Sequence, residues 1–528
     1  MDEHSDVIAF LKSPAAHGGG AVTVDLLQTH GALVFLAGSH AYKIKRAVRY
    51  SYMDFSTLAL RRAAIEREME INRPHAPQIY LGVVPITREA DGRLRINGLG
   101  KPVEWAVHMR RFDKADLLSA IVDRGGISPP LARQLADAVR ASHQLAPRVR
   151  DDHADGRMRR IATDLAANLA LVDHALASFQ HEAFRAAVAL QLDRAGSILR
   201  ARGGAGLVAR CHGDLHLNNI VLWHGTPTLF DAIEFDEDLA TIDMLYDLAF
   251  LLMDLDHRQH REIANIVLNR YLARSDTDLD VEGLAALPLF LGLRSAIRGL
   301  VTAQRALLQP DDTGTHDRDL KAADASLDGA MRYLSPGPPQ LVAVGGFSGS
   351  GKTTLAASLA PHLDPAPGAL HIRTDLERKS LFGVAETERL PPDSYTKDVS
   401  DRIYALVMDK ARRALAAGHS VVVDAVFSDC GERDAIAALA KVAGAAFTGL
   451  WLSAPPEVLK ARVAARQDDA SDATADVVEQ QLRRGSGAIG WQTVDANGTP
   501  ASTRSLALKL VAPAGRTGAP TDLGASEQ

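Results

Sequence analysis

The segment that most restricts how this chain can fold is GFSGSGKT, running from Gly346 to Thr353. It satisfies the pattern GxxxxGK[ST] in full. It also lies where that pattern works, after the apolar run LVAVGG (341–346) and at the start of a helix from Lys352. Glycines let the backbone curl its N–H groups around an anion, and the helix N-terminus adds a favourable dipole. Gly346, Ser348, Gly349, Ser350 and Gly351 form the expected phosphate cradle, with Thr354 just behind it. Lys352 is expected to reach the β- and γ-phosphates of a nucleotide, and the Thr353 hydroxyl to hold Mg²⁺. A chance glycine-rich turn is the competing reading, and the strand and helix on either side argue against it.

Around this loop, strands alternate with helices. ALHIRT (369–374), SVVVDAVF (420–427) and AFTGLWL (446–452) each lead into helical sequence. Repeated βα units with apolar strands indicate a parallel, doubly wound sheet. Asp424 ends its strand but is followed by Ala425 rather than by a water-activating glutamate, so Asp424 is read as a metal ligand. At the end of the neighbouring strand, Asp375 faces the crevice where phosphates bind and is the candidate base for a substrate hydroxyl; a simple helix cap is its alternative. Arg378, three residues on, shares its face if a helix has begun. Arg462 and Arg466, four apart, are expected on one helical face, where they can neutralise charge on a transferring phosphoryl group; the alternative is a solvated face.

These features, GFSGSGKT, RTDLER, VVVDA and the two arginines, resemble the small P-loop kinases: gluconate and shikimate kinases, polynucleotide 5′-hydroxyl kinases, zeta toxins and chloramphenicol phosphotransferases. The resemblance implies a base at the Asp375 position and transfer of a phosphoryl group to an alcohol. It does not imply which alcohol.

YLSPGPPQ (333–340), with three prolines and a glycine, separates this unit from a longer one before it. The expected organisation is a first domain over 1–332, a linker over 333–340, a P-loop domain over 341–512 and a disordered tail over 513–528. The first domain opens with strand-like ALVFLAG (32–38) and HAYKIKRAV (40–48), a helix over 57–72, and further strands IYLGVVPITR (79–88) and PVEWAVHMRRF (102–112). From about 128 it turns Ala/Leu-rich and helical, interrupted by CHGDLHLNNIVL (211–222) and the strand-like TLFDAIEF (228–235). Strands first and helices later indicate an α+β unit, a small sheet lobe beside a helical lobe.

In CHGDLHLNNIVL, Asp214 and Asn219 are five apart, the spacing of the Asp and Asn in a protein-kinase catalytic loop. Asp214 would accept a hydroxyl proton and Asn219 would hold Mg²⁺. Asp231, twelve residues further on across a turn at His224–Gly225, supplies the second metal ligand. A metal cluster of His212, Asp214 and His216, or a structural polar turn, are the alternatives. Upstream, Lys43 is paired with Glu68 on the following helix to grip phosphates; Lys45 shares its strand face and remains an alternative. Asp247, in the apolar run IDMLYDLAFLLMDL, is read as an anchor for the catalytic loop.

HGDLHLNN, FDAIEFD and IDMLYDLAF resemble the aminoglycoside phosphotransferase (choline-kinase-like) family, over roughly 25–330. One departure is that LQTHGALVFLAG offers little to cradle phosphate. Together the halves resemble a bacterial family described as bifunctional aminoglycoside phosphotransferase/ATP-binding proteins or AAA family ATPases.

Composition narrows the rest. Net charge is -6 over 528 residues, against a dedicated nucleic-acid binder. Cys211 and Cys430 are far apart, so no disulfide framework is expected and the setting is read as cytoplasmic. The N-terminus lacks a signal peptide's apolar run, and Leu248–Met253 is read as the longest apolar run, too short for a bilayer. The favoured expectation is an ATP- and Mg²⁺-dependent kinase with two phosphoryl-transfer sites acting on small-molecule hydroxyls. The alternatives are one P-loop kinase regulated by a non-catalytic kinase-like ligand-binding domain, or a nucleotide-dependent switch or polynucleotide 5′-hydroxyl kinase.

Overall fold

The computed structural model describes residues 3–19, 23–29, 31–50, 53–275, 277–308, 313–466 and 470–511. The tail expected over 513–528 lies outside the described residues. The chain divides into two compact units, Met1–Ser335 and Pro336–Gln528.

In the first unit a six-stranded antiparallel sheet runs in the order Val24–Gln28, Ala32–Ala37, His40–Lys45, Lys101–Arg110, Tyr80–Arg88, Leu94–Ile96. Side chains alternate across the pleat, so Ala41, Lys43 and Lys45 share one face while Tyr42 and Ile44 take the other. Helix Leu58–Asn72 covers the lysine face, with Ile65 and Met69 packed near Ala41 and Val107. Thr57 caps that helix by accepting the Leu60 N–H at 3.3 Å. Helix Glu3–Lys12 covers the opposite face, placing Val7 and Leu11 against Phe35, Ile44 and Ile86.

The helical lobe is built on Pro129–Leu145, Ala154–Val172, His181–Gly204, Met244–His257, Arg261–Ala273, Leu287–Leu307 and Thr313–Leu334. Between its third and fourth helices lie short strands and the hairpin Ile220–Trp223/Thr226–Leu229. This corrects the expected strand over 228–235. Pairing stops at Leu229, and Asp231 adopts φ 63°, which no extended strand accommodates. Among the described residues one stretch, Leu279–Leu307, is long and apolar enough to cross a membrane, and 78% of its most apolar window is buried inside the protein.

The second unit is a five-stranded parallel sheet ordered Leu370–Arg373, Val421–Asp424, Gln340–Gly345, Ala446–Ser453, Gln492–Asp495. Val342, Val344, Val422, Leu450 and Leu452 form its core with Leu355 and Leu359 of the helix after the glycine-rich loop. Gln492–Asp495 was not expected, because QTVD is short and lacks an apolar run. The strand order reverses beside Gln340–Gly345, which opens a crevice at the strands' carboxyl ends.

Candidate active sites

The glycine-rich loop turns from Gln340–Gly345 into helix Lys352–Leu359. Gly346, Gly349 and Gly351 have φ of 145°, 86° and 87°, a region that L side chains rarely enter. At Gly349 a Cβ would lie 2.4 Å from the Leu459 carbonyl oxygen, so a following helix seals the loop from outside. The Ser348 N–H donates to Gln481 Oε1 at 2.8 Å. Ser350 Oγ is buried with no hydrogen-bond partner among the described residues. Thr354 is exposed on the helix behind.

Thr353 Oγ1 donates to Asp424 Oδ2 at 2.5 Å, whereas Asp424 Oδ1 is buried with no hydrogen-bond partner among the described residues. A hydroxyl and a carboxylate oxygen beside a helix N-terminus suit a hard cation carrying nucleotide phosphates, so these residues fit Mg²⁺. Burial alone would raise the Asp424 pKa; His371, Lys352 and Arg373 outweigh it and hold the group ionised, below its ordinary value. Asp375 lies in the first turn of helix Thr374–Leu381. Burial raises its pKa above the usual carboxylate range, aided by Asp424 and opposed by Lys352, Arg373 and a hydrogen bond from Ser471. Lys352, Thr353, Asp375 and Asp424 therefore converge at the mouth of the loop.

Arg378 and Arg462 do not. Arg378 Nη1 donates to the Ser394 carbonyl at 2.7 Å and the guanidinium lies 4.8 Å from the centroid of the Tyr395 ring, so it braces the segment over 394–400 rather than facing a phosphate. Arg462 donates to the carbonyls of Ala496 (2.8 Å) and Gly498 (3.2 Å). Arg466 lies beyond the end of helix Pro456–Ala464, so the expected shared helical face does not exist. The helix closes there because the Ala465 N–H turns back to the carbonyls of Ala461 and Val463.

In the first unit, Glu68 bridges two lysines. Its Oε1 accepts Lys43 Nζ at 2.8 Å and its Oε2 accepts Lys45 Nζ at 2.6 Å. Lys43 also pairs with Asp231, and Lys45 with Glu234 at 2.5 Å. The favoured pair and its alternative thus form one network. Glu234 was missed; the only signal for it was an acid three residues after Asp231. The segment holding both acids is pinned to the sheet lobe by the Asp231 N–H on Tyr80 Oη (3.1 Å) and the Ala232 N–H on Asn72 Oδ1 (2.8 Å).

Asn219 Nδ2 donates to Asp214 Oδ2 at 3.0 Å, which leaves the amide oxygen as the group for a cation. Burial pulls the Asp214 carboxyl up, but His216, His212 and Arg294 outweigh it and hold the group well below the usual carboxylate range. His212 accepts the Asp214 N–H on Nδ1 (3.3 Å), so its Nε2 carries the proton that reaches the Phe230 carbonyl (2.9 Å). Both His212 nitrogens are therefore engaged, which removes the reading of His212, Asp214 and His216 as a metal cluster. Asp247 accepts the His212 N–H on Oδ2 (3.3 Å) and the Gly213 N–H on Oδ1 (2.8 Å), and His143 Nε2 lies 3.0 Å from the same Oδ2. Asp247 thus anchors the loop through its backbone. A cleft of about 800 Å³, lined by Val24, Leu27, Leu36, Arg111, Phe112 and Lys114 among others, opens beside the first two strands.

Comparison with known proteins matches residues 98–287 to the Phosphotransferase enzyme family and residues 341–486 to an AAA domain. Over 469 residues the chain is 30% identical to Rv2004c of Mycobacterium tuberculosis and to Mb2027c of Mycobacterium bovis, covering 86% of this chain and 88% of each relative. Solved structures similar to the first unit include a choline kinase from Cryptosporidium parvum (10% identity, 63% of this chain and 95% of that one, TM-score 0.38). For the second they include a gluconokinase from Sinorhizobium meliloti (23% identity, 33% of this chain and 90% of that one, TM-score 0.24). The chain thus carries two kinase-type domains, an aminoglycoside-phosphotransferase-like fold followed by a P-loop kinase fold. It belongs to the family of Rv2004c and Mb2027c.

Proposed function

We propose that this protein is an ATP-dependent phosphotransferase acting on hydroxyl groups of small molecules, with one transfer site in each half. The observation that carries this reading is the convergence of Lys352, Thr353, Asp375 and Asp424, with Asp424 Oδ1 left without a hydrogen-bond partner among the described residues. Lys352 and the loop N–H groups would hold the nucleotide phosphates, and Thr353 and Asp424 the Mg²⁺. Asp375 would take the acceptor's proton; a raised pKa suits a base that must release it again. In the first half, Asp214 would be the base, Asn219 and Asp231 the metal ligands, and Lys43, oriented by Glu68, the phosphate grip. Bound Mg²⁺ would supply neutralisation of charge on the β- and γ-oxygens. The chain's acidic balance disfavours a polynucleotide acceptor.

A second reading keeps the P-loop half catalytic and makes the first half a ligand-binding regulator. It is favoured by the turn between the first two strands. There the Thr29 N–H donates to the Ala32 carbonyl and the Ala32 N–H to Thr29 Oγ1, closing the turn, and a Cβ on Gly31 would meet Met53 at 3.1 Å. The Thr29 and Ala32 donors are thus used within the turn rather than offered to a phosphate.

ADP release by Asp214→Ala and Lys352→Ala, measured across a metabolite panel, separates the two readings. Two sites predict that each variant loses a different subset of accepted substrates. If Asp214→Ala retains every activity and Lys352→Ala loses them all, the regulatory reading replaces the first.

A further inference from the structure

The glycine-rich loop spends three of its N–H groups on the protein itself. Gly346 donates to the Val426 carbonyl at 3.2 Å, Ser350 to the Phe347 carbonyl at 3.1 Å and Ser348 to Gln481 Oε1 at 2.8 Å. The N–H groups of Gly349 and Gly351 have no partner among the described residues. Two of the three acceptors are backbone carbonyls, fixed by the course of the chain. The third is a side chain from 133 residues further on. We propose that Gln481 is a positioning residue for nucleotide binding. By taking up the Ser348 N–H it fixes the curl in which the Gly349 and Gly351 N–H groups are left for phosphate oxygens. The inference rests on the reading of this half as a nucleotide-dependent kinase.

Gln481 is held by a helix secured at both ends. Before helix Ala475–Arg484, Asp472 accepts Lys379 Nζ at 2.8 and 2.9 Å, the Leu390 N–H at 3.0 Å and the Tyr395 hydroxyl at 2.6 Å. Lys379 is buried, so this is a desolvated, charge-assisted pair of the strong kind. Thr474 then caps the helix by accepting the Val477 N–H. At the far end Gly485, at φ 70°, returns its N–H to the Gln481 carbonyl at 3.0 Å. Beyond it the buried Arg433 holds the carbonyls of Ser486 (2.9 Å) and Ala488 (3.0 Å).

The helix also packs on the loop. Val478 and Leu482 join Leu459 and Val463 around Phe347. Gln481 is three residues from Val478 and adjacent to Leu482, so the face that makes the apolar contact also carries the amide. The side-chain type fits the task. A lysine has no acceptor to offer Ser348, and an acid would set a negative charge beside the site for phosphates.

The test is titration of the purified full-length protein with a fluorescent ATP analogue and Mg²⁺, well below the melting temperature. Gln481→Met keeps the length of the side chain and its packing near Phe347 but removes the oxygen. It should bind the analogue about tenfold more weakly. Gln481→Glu keeps an acceptor. At raised salt, where its charge is screened, it should bind within about threefold of wild type at the same salt. That rescue separates positioning from packing. If Gln481→Met does not fold, Gln481→Asn, one methylene too short to reach Ser348, carries the same expectation. Lys352→Ala serves as the control. Lys352-dependent binding that Gln481→Met leaves undiminished, or that Gln481→Glu fails to restore, overturns this proposal and leaves the kinase reading standing. Binding that does not depend on Lys352 overturns both.

Discussion

Glu68 gives one carboxylate oxygen to Lys43 and the other to Lys45, at 2.8 and 2.6 Å, and none of its own surface to solvent. Burial works against its charge, but the two lysines prevail and lower its pKa from 4.5 to about 2. A depressed folded-state value means stabilisation that is complete above about 4.5 and disappears as pH falls towards about 2. Urea unfolding of the full chain should show this loss across that interval. Glu68→Gln should flatten it and cost about 3–5 kcal/mol at neutral pH, since two buried lysines lose their shared partner. An unchanged pH profile in the variant would remove Glu68 as its source.

Asp247→Ala strands the N–H groups of His212 and Gly213 in a dry interior. The expected cost is about 2–5 kcal/mol. Activity that depends on Asp214 should fall with it, while activity that depends on Lys352 should not. Chemical denaturation with parallel ADP assays measures both.

Gly349→Ala must fit a methyl group at φ 86° against the Leu459 carbonyl. The loop has to shift, and nucleotide affinity at the P-loop should drop roughly tenfold or more. Fluorescence titration with an ATP analogue reads this directly; an affinity equal to wild type would show that the loop relaxes freely.

Arg462→Ala tests a correction. An arginine that neutralises a transferring phosphoryl group is worth about 10³-fold or more in turnover. An arginine that ties down the carbonyls of Ala496 and Gly498 contributes about 1–3 kcal/mol to local stability instead. The structure predicts a lowered melting temperature with kcat reduced by less than about tenfold.

The sequence was most legible where backbone geometry leaves no choice. A cradle with three residues at positive φ must be written in glycine, so GFSGSGKT declares itself. Asp214 and Asn219 are similarly readable because a single tight loop sets their spacing. Glu234 and Asp472 were not readable, because their partners Lys45 and Lys379 lie 189 and 93 residues away. TLFDAIEF misled because its apolar alternation suits a strand, while the turn at Asp231 is imposed by contacts with Tyr80, Asn72 and Lys43. Arg462 and Arg466 misled because four-residue spacing implies a common face only while a helix lasts.

Asp247 sits within the apolar helix Met244–His257, flanked by Leu248 and Leu251, both fully buried. The loop that carries Asp214 therefore takes its alignment from oily packing rather than from polar neighbours alone. A hole opened at Leu251, on the same helical face one turn from Asp247, would act like a loosened bearing. It would shift the carboxylate that two loop amides depend on, and the alignment of Asp214 would be lost before the fold was.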